Sequence, residues 1–277
     1  MAPSRAYKEA SDSTLHLPRI LCLHGGGTNA EIFRIQCRAL IAQLKPHFRL
    51  CFANAPFVSP PHPAMIPIFQ DHGPFRCWLR WSLQQPELDA TTVFDDIQRS
   101  LQTAMAEDDC HGATGEWVAL LGFSQGAKVA ASLLFRQQLR AERLGKQNAG
   151  SNYGFAVLLA GRAPLISFDP DLVVSSAMPD ASQITTNLSY PESSFRTHDQ
   201  VLRLPTVHVH GLRDPGIELH RCLLEEYCEE GSTRIVEWDG EHRLPIKSKD
   251  VVAVVDQIVD VARQTGVLTD LDGRRVT

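Results

Sequence analysis

Residues 122–126 constrain the fold of this chain more than any other segment. They read Gly-Phe-Ser-Gln-Gly, between an apolar run at 117–121 and helix-forming residues with apolar spacing at 127–135. The first run predicts a buried strand and the second a helix. A serine on so tight a turn is forced outward, and the two glycines remove Cβ atoms that would clash there. The sequence therefore predicts an outward-facing Ser124 at the N-terminus of a helix, where amides favour developing negative charge.

Strand-like and helix-like segments alternate along the rest of the chain. This alternation predicts an α/β protein with a mainly parallel sheet and helices on both faces. The proline-rich stretch 57–74 is predicted to lack regular structure. The predicted strands are 20–23, 49–53, 117–121, 155–160, 206–210 and 234–238, and the predicted helices are 30–44, 91–105, 127–135 and 251–262.

One segment is too long for a plain connection in a compact domain, namely 162–204, which is polar and holds four prolines. Two interpretations stand equal: a lid-like insertion over the site, or a surface loop that touches no substrate. No repeat or linker divides the chain, so residues 1–277 are predicted to form a single domain. Residues 1–17 are predicted to be a flexible leader.

Composition excludes several classes of protein. A formal net charge of −5 without a basic run argues against a nucleic-acid-binding protein. No apolar stretch approaches the roughly 20 residues that span a bilayer, and the polar N-terminus does not resemble a signal peptide. Seven scattered cysteines predict free thiols in a reducing compartment. Together these features predict a cytoplasmic location.

A serine nucleophile needs a base, and the base needs an orienting carboxylate. The octapeptide His-Val-His-Gly-Leu-Arg-Asp-Pro carries Asp214 beyond a glycine turn, and Trp-Asp-Gly-Glu-His ends at His242. Each motif follows a late predicted strand, which is the order serine, acid, histidine of the α/β-hydrolase fold. Asp239 and Glu241 are alternatives to Asp214, but they lie too near His242 in sequence to reach its far side. The predicted catalytic residues are Ser124, Asp214 and His242.

Three further histidines need an interpretation. His208 and His210 alternate along a strand and could ligate a metal, but no third ligand is in view, so packed core roles are favoured. No metal site is therefore predicted. His220 falls on a helix after the Asp214 motif, together with Glu218 and Glu225. These residues are predicted to lie on a solvated face.

An oxyanion hole needs two backbone N–H donors. One is predicted from Gln125, which follows the serine directly. The other is predicted from the three-glycine loop after the first strand, with Gly26 preferred and Gly27 next, because glycine lets the backbone approach a substrate closely. This loop lacks the spacing of a phosphate-binding motif. Trp78 and Phe57 are weaker substrate-binding candidates, and packing roles are their alternative.

Taken together, these segments resemble the fungal serine hydrolase family, the FSH1-type or lovastatin-esterase-type hydrolases. The resemblance runs from about residue 18 to residue 261 and implies the same three catalytic residues. It rests on Leu-His-Gly at 23–25, Asn-Ala-Pro at 54–56, the segment 76–81, the serine motif at 122–126, Ala-Gly-Arg-Ala-Pro at 160–164, and the motifs at 210–215 and 240–242.

In that family, many members hydrolyse the thioester that tethers an acyl chain to the carrier domain of a polyketide synthase. The resemblance therefore implies a cofactor-free serine thioesterase or esterase in secondary metabolism. Its substrate would be an acyl thioester or ester, and the carrier domain its implied partner. A general short-chain carboxylesterase or an acyl-protein thioesterase is the alternative, since both share Gly-Phe-Ser-Gln-Gly. A non-catalytic binding protein of the same fold is disfavoured by the intact serine, aspartate and histidine.

Overall fold

A computed structural model describes residues 12–169, 172, 178–184 and 201–269 of the chain. Two short 3-10 helices, Pro63–Met65 and Lys146–Asn148, join the strands and α-helices of this part. In chain order those elements are β1 (Arg19–Leu23), α1 (Ala30–Gln36), α2 (Arg38–Leu44), β2 (Arg49–Ala53), β3 (Phe57–Val58), α3 (Ile66–Phe69), β4 (Arg76–Cys77), α4 (Ala90–Cys110), β5 (Trp117–Phe123), α5 (Gln125–Leu144), β6 (Phe155–Leu159), β7 (Thr206–Gly211), α6 (Ile217–Tyr227), β8 (Thr233–Trp238) and α7 (Ser248–Gln264).

Six of the strands form one sheet in the order β2-β1-β5-β6-β7-β8. Every neighbouring pair in this sheet is parallel. β1, β6 and β7 are buried along their length, which explains the nearly continuous apolar sequences of β1 and β6. The carboxyl ends of all six strands meet at one edge, where α/β proteins bind their ligands.

Helices cover both faces of the sheet, as the alternating pattern predicted. On one face, Leu21 and Leu23 of β1 join a buried cluster that includes residues of α4, α5 and α6. On the other face, Ile20 and Cys22 join a cluster built with α1, α2 and α7. Side chains alternate across a strand, so a single strand contributes to both cores. The predicted α/β-hydrolase architecture is confirmed.

Two predicted segments differ from the structure. The helix predicted at 30–44 is broken at Cys37, where φ is −79° and ψ is 2°, into α1 and α2. The stretch 57–74 is not irregular throughout, because it contains β3, a 3-10 turn and α3. Pro63 and Pro67 stand in the first turn of the 3-10 helix and of α3 respectively, where a missing N–H removes no helical bond.

The predicted leader and lid fall partly outside the described residues. Residues 1–11 of the leader lie outside them, but its described end is anchored, since Asp12 Oδ2 lies 2.6 Å from a guanidinium nitrogen of Arg49. Of the predicted lid, 170–171, 173–177 and 185–200 lie outside the described residues. All seven cysteines are free thiols. None of the helices in the described part combines the length and apolar character needed to cross a membrane.

Candidate active site

The turn between β5 and α5 holds Ser124 in a strained backbone conformation, with φ 54° and ψ −114°. Such a conformation costs on the order of 1–3 kcal/mol and persists where the surroundings impose it. The Ser124 amide donates to the Leu159 carbonyl at 2.8 Å. A Cβ added at Gly122 would lie 2.3 Å from the Gly126 carbonyl oxygen, and one at Gly126 would lie 2.1 Å from that of Leu23. Close backbone packing therefore requires both glycines of the motif.

Ser124, His242 and Asp214 form a continuous hydrogen-bonded series. His242 Nε2 lies 2.9 Å from Ser124 Oγ, and His242 Nδ1 lies 2.6 Å from Asp214 Oδ2. The three residues follow β5, β8 and β7 respectively, so the parallel sheet delivers them to one edge. The Asp214 carboxylate is fully buried, whereas the His242 side chain keeps 21% of its surface exposed. The structure thus brings together the three side chains that the sequence singled out.

Both oxygens of the Asp214 carboxylate are occupied. Oδ1 accepts the Gly216 amide at 2.8 Å and lies 3.6 Å from a guanidinium nitrogen of Arg162. Oδ2 lies 2.6 Å from His242 and 3.0 Å from Nε2 of His220. Burial raises the pKa of Asp214, but the close contact with His220 and the hydrogen bonds from His242 and the Gly216 amide outweigh it and hold that pKa well below its usual range. The carboxylate is therefore ionised at neutral pH.

His220 does not lie on a solvated face, contrary to the sequence-based prediction. Its side chain is completely buried, and its Nδ1 lies 2.8 Å from the Gly161 carbonyl oxygen. It shares the inward face of α6 with Leu223 and Tyr227. The spacing 220, 223, 227 is that of one helix face, and it could have identified His220 as buried.

His208 and His210 have the core positions that their strand predicted. Both are completely buried on β7, and their rings stand edge to face at 5.8 Å. His208 Nε2 lies 3.0 Å from Thr206 Oγ1. Burial lowers the pKa of His208 to about 3 and that of His210 to about 4, so both are neutral at physiological pH.

Asp214, His220 and His242 also place three possible metal-ligand atoms within 4.8 Å of one another. The atoms of Asp214 and His242 are 2.6 Å apart, which is a hydrogen-bond length with an N–H between them. These two atoms therefore bind each other. The grouping fits an imidazole–carboxylate network rather than a metal site.

The predicted oxyanion loop lies against the start of α5. A Cβ added at Gly26 would lie 3.3 Å from the Gln125 side chain and 2.5 Å from the ring of Trp81. The Gly27 amide donates to the Arg76 carbonyl at 2.9 Å, so it is not available to a substrate. Among the described residues, nothing accepts a hydrogen bond from the Gly26 or Gln125 amide. Of the two glycines considered, the geometry favours Gly26.

The Gln125 side chain binds the backbone of the loop after β4, a role that its position in the sequence did not suggest. Its Oε1 accepts the Trp78 amide at 2.8 Å and the Leu79 amide at 3.3 Å, while its Nε2 donates to the Leu79 carbonyl at 2.9 Å. Trp78 is completely buried and its indole N–H donates to the His24 carbonyl at 2.8 Å. Trp78 thus packs the loop onto the core, which corrects its prediction as a substrate contact.

Phe57 is half-buried and lines a cavity of about 290 Å³ beside the antiparallel pair of β3 and β4. The cavity wall is mainly apolar, so the position of Phe57 is compatible with an acyl contact. The wall includes Pro56, Phe57, Val58, Cys77, Leu88 and Val93.

Known proteins resemble this chain over most of its length. A family model described as Serine hydrolase (FSH1) matches residues 13–254. Esterase citA of Monascus ruber is 55% identical over 258 residues, covering 93% of this chain and 97% of the relative. Esterase claE of Penicillium crustosum is 54% identical over 256 residues, covering 92% and 97%. A solved Bacillus cereus carboxylesterase is 16% identical with a TM-score of 0.49, covering 91% of this chain and 92% of that one.

Proposed function

The chain belongs to the FSH1 family of serine hydrolases, and on that premise we propose that it hydrolyses acyl esters and thioesters through an acyl-enzyme on Ser124. One observation carries the proposal: the unbroken hydrogen-bonded series from Ser124 through His242 to Asp214. In this arrangement Ser124 has the place of the nucleophile, His242 that of the base and Asp214 that of the orienting carboxylate in a serine–histidine–aspartate triad. The proposed reaction needs no cofactor, since side chains and backbone amides supply every proton transfer and charge contact.

In the first step, Ser124 Oγ attacks the substrate carbonyl carbon. His242 Nε2, 2.9 Å away, accepts the hydroxyl proton. The imidazolium so formed keeps its Nδ1–H on Asp214 at 2.6 Å, and the buried carboxylate stabilises the new positive charge. The short, buried contact also fixes the tautomer in which Nε2 is free to act as a base.

The carbonyl oxygen becomes negative as the tetrahedral intermediate forms. We assign its stabilisation to the amides of Gln125 and Gly26, assisted by the N-terminus of α5. His242 then gives its proton to the departing alcohol or thiol, and the acyl group remains on Ser124. A water molecule, deprotonated by His242, attacks the acyl-enzyme and releases the carboxylic acid. The same proton returns to Ser124 and restores the resting site.

The finer proposal concerns the substrate. As the substrate we propose an acyl chain held as a thioester on the carrier domain of a polyketide synthase. In this proposal the protein acts on it in the cytoplasm, as a single α/β-hydrolase domain. Support comes from the resemblance of the motifs at 122–126, 210–215 and 240–242 to a family in which many members do this. The relatives named above are called esterases. That name supports the second candidate, a general short-chain carboxylesterase.

Replacement of Ser124 by alanine tests the proposed chemistry. We expect Ser124→Ala to lower kcat for a p-nitrophenyl ester by about 10⁶, the scale seen when a triad serine is lost. Ser248→Ala is the matched control, because Ser248 is exposed at the start of α7. A fluorophosphonate probe should label the wild type and the control but not the Ser124 variant. Near-wild-type turnover by folded Ser124→Ala would exclude Ser124 as the nucleophile.

A competition between matched substrates tests the finer proposal. The same acyl chain is offered as a carrier-protein thioester, a small soluble thioester and an oxygen ester, with Ser124→Ala as the blank. We expect the highest kcat/KM for the carrier-bound thioester. Faster turnover of the small oxygen ester would instead support the general carboxylesterase.

A further inference from the structure

The ring of Trp81 packs against the loop that we assign to the oxyanion hole. A Cβ added at Gly26 would lie 2.5 Å from Cζ3 of this indole and 2.8 Å from its Cε3, and one added at Gly27 would lie 2.6 Å from its Cη2. These three atoms form one edge of the six-membered ring. That edge therefore occupies the space that a side chain at either glycine would need, beside the amide assigned to the developing oxyanion.

The backbone on both sides of Trp81 is held by glutamine side chains. The Trp81 amide donates to Oε1 of Gln85 at 2.8 Å, and the Ser82 amide donates to the same oxygen at 3.1 Å. Two residues before Trp81, the amide and carbonyl of Leu79 bind the side chain of Gln125, the residue after the nucleophile. The indole is therefore preorganised beside the nucleophile turn, which lowers the entropic cost of any contact that it makes with a substrate.

Trp81 is less deeply buried than the residues just before it. Trp78 and Leu79 are buried, and the indole N–H of Trp78 donates to the His24 carbonyl. Trp81 is half-buried, and in the described part of the chain its indole N–H donates no hydrogen bond. The Trp81 ring thus keeps open surface and a free polar group next to the oxyanion loop.

A second ring borders the same loop. The centroid of the His62 ring lies 6.5 Å from that of Trp81, with the two rings tilted by 53°. His62 is half-buried, and its amide donates to the Gly27 carbonyl at 2.9 Å. The two half-exposed rings therefore form an aromatic surface at the side of the loop that carries Gly26.

We propose that Trp81 contacts the acyl group of the substrate and selects planar acyl groups, aromatic or conjugated, over saturated groups of the same size. The inference rests on the proposed function, and it names the substrate class of the Ser124 site. A flat π-system gains a favourable ring contact with an indole beyond its buried area, which a puckered saturated group does not. Trp81 is in this proposal a specificity-determining residue.

The position of Trp81 favours the acyl group over the leaving group as its contact. The leaving group has to face His242, which gives it a proton, and the ring neighbours of His242 are Phe123 and His220. Trp81 lies instead against Gly26, whose amide is assigned to the acyl carbonyl oxygen. The acyl chain begins one bond from that carbonyl, so its first atoms lie beside this loop.

A pair of matched thioesters tests the selection. Benzoyl and cyclohexanecarbonyl thioesters of one small thiol both carry a six-membered ring, which is flat in the first and puckered in the second. Comparing the ratio of their kcat/KM values between variants cancels the difference in their intrinsic reactivity. We expect Trp81→Leu to lower the benzoyl-to-cyclohexanecarbonyl ratio by roughly 2- to 10-fold, the scale of one aromatic pair, and Trp81→Phe to retain most of it.

Trp117→Leu is the matched control for these kinetics. Trp117 is also half-buried, but it stands at the start of β5, at the opposite end of that strand from the nucleophile turn. Its ratio should equal that of the wild type. If Trp81→Leu lost rate equally with both thioesters, the ratio would be unchanged. Trp81 would then only pack the loop, and the proposal would be overturned.

A covalent adduct gives a second readout that needs no variant of Trp81. With phenylmethanesulfonyl fluoride, Ser124 Oγ bonds to sulfur, fluoride leaves, and His242 accepts the hydroxyl proton. Methanesulfonyl fluoride gives the same adduct without the phenyl ring. In protein with ¹⁵N-labelled tryptophan, we expect the indole signal of Trp81 to differ between the two adducts and that of Trp117 to coincide. Coincident Trp81 signals, with both adducts verified by mass, would overturn the contact.

These outcomes are separable from those of the proposed function. If neither reagent modifies Ser124, or if Ser124→Ala keeps its activity, the hydrolytic mechanism fails and the substrate class fails with it. If both adducts form and Ser124→Ala is inactive, the mechanism stands. The Trp81 signals and the thioester ratios then decide the selection alone.

Discussion

Asp214 shows how burial and charge compete at a single residue. Its carboxylate has no exposed surface, which disfavours ionisation, yet four polar groups surround it and reverse the balance. The result is a negative charge kept in the interior at a defined distance from the candidate base. An amide at the same position would keep the shape but lose the charge and one acceptor.

Asp214→Asn is therefore expected to lower kcat by about 10⁴, the effect known for this change in the chymotrypsin triad. The amide group stabilises the wrong tautomer of His242, whose Nε2 then carries a hydrogen and cannot accept the Ser124 proton. Ester hydrolysis under saturating substrate measures the effect. Asp239→Asn is the control, because Asp239 is exposed and pairs with Arg213. Equal losses in the two variants would argue against the assignment of Asp214.

Lys128 is a second residue whose charge conflicts with its surroundings. It stands on α5 one turn beyond Ser124, and its Nζ donates to the Ala163 carbonyl at 3.2 Å. Burial, with a smaller contribution from Arg162, lowers its pKa from 10.5 to about 7. Below pH 7 the Lys128 ammonium group is charged in both the folded and unfolded states, so the folded state is destabilised by the full free-energy cost of burying that charge. Between pH 7 and 10.5 the unfolded state binds more protons, so stability rises with pH.

Lys128→Met should therefore be more stable than the wild type below pH 7, and this advantage should shrink as the pH approaches 10.5. At about 1.4 kcal/mol per pKa unit, the change over the interval amounts to a few kcal/mol. Urea denaturation at several pH values measures it. Lys249→Met, at an exposed position on α7, should show no such trend. A stability difference that is independent of pH would contradict the expectation.

The residues whose place was predicted from the sequence and those whose place was not differ in how local the evidence for them is. Ser124, Asp214 and His242 follow strands in short motifs, so local patterns suffice to propose them. His220 needed a choice of helix face, and Trp78 needed knowledge of which side of its loop meets the core. Both depend on packing between elements distant in the chain.

At the scale of elements, the strand–turn–helix at 117–144 combines backbone strain with close packing. Ser124 adopts a positive φ, and the helix behind it passes so near β1 that an added Cβ at Gly126 would meet the carbonyl oxygens of Leu23 and His24 at 2.1 Å and 2.5 Å. Backbone atoms of a central strand cannot move away cheaply. The site therefore depends on the contact between α5 and β1.

Gly126→Ala is expected to lower the free energy of unfolding by about 3 kcal/mol, at the upper end of overpacking effects. Chemical denaturation measures the loss. Gly73→Ala is the control, since a Cβ there would meet no atom closer than 3.8 Å. Wild-type stability in Gly126→Ala would mean that α5 can move away from β1 without cost.

Element boundaries were predicted well where periodicity was strong and poorly where it was not. The central strands and α7 lie close to their predicted ranges, because each has a continuous apolar run or a clear helical stripe. The break at Cys37 leaves the apolar pattern of α1 and α2 unchanged, so the pattern cannot reveal it. The pairing of β3 with β4 spans 18 residues between partners such as Val58 and Arg76, beyond any local signal.

At the scale of the whole molecule, three buried neutral histidines bear on stability. Burial lowers the pKa of His24 to about 4, of His208 to about 3 and of His210 to about 4. Below pH 6.5, the ordinary pKa of histidine, these side chains bind protons in the unfolded chain but not in the folded chain. The free energy of unfolding is therefore not reduced by these histidines above pH 6.5, and it declines as the pH falls toward their pKa values in the folded state.

We expect the free energy of unfolding to fall from pH 7 to pH 5, by about 1.4 kcal/mol per pH unit for each such histidine below its ordinary pKa. Guanidinium denaturation at pH 7, 6 and 5 measures the slope. His210→Gln should reduce the slope, whereas His16→Gln, at an exposed position, should not. An acid slope unchanged in His210→Gln would argue that His210 is protonated in the folded protein.

The overall architecture was predictable because the alternation of strands and helices permits few arrangements. The strand order was not, because β1 lies between β2 and β5 and nothing local in the chain specifies that insertion. The segment 162–204 remains an open prediction, since much of it lies outside the described residues.

The contact between Gln125 and the loop that follows β4 has a consequence for divergence. Its side chain binds residues 78–79 through their backbone atoms alone, so this anchor does not depend on the side chains of the loop, whereas the buried Trp78 provides a second anchor through its side chain. Natural variation or library design can exchange the outward-facing side chains of the loop while its attachment to the nucleophile turn persists. The exposed surface of the loop and the position of the nucleophile turn can thus diverge separately, because the amide side chain that joins them contacts only backbone atoms of the loop.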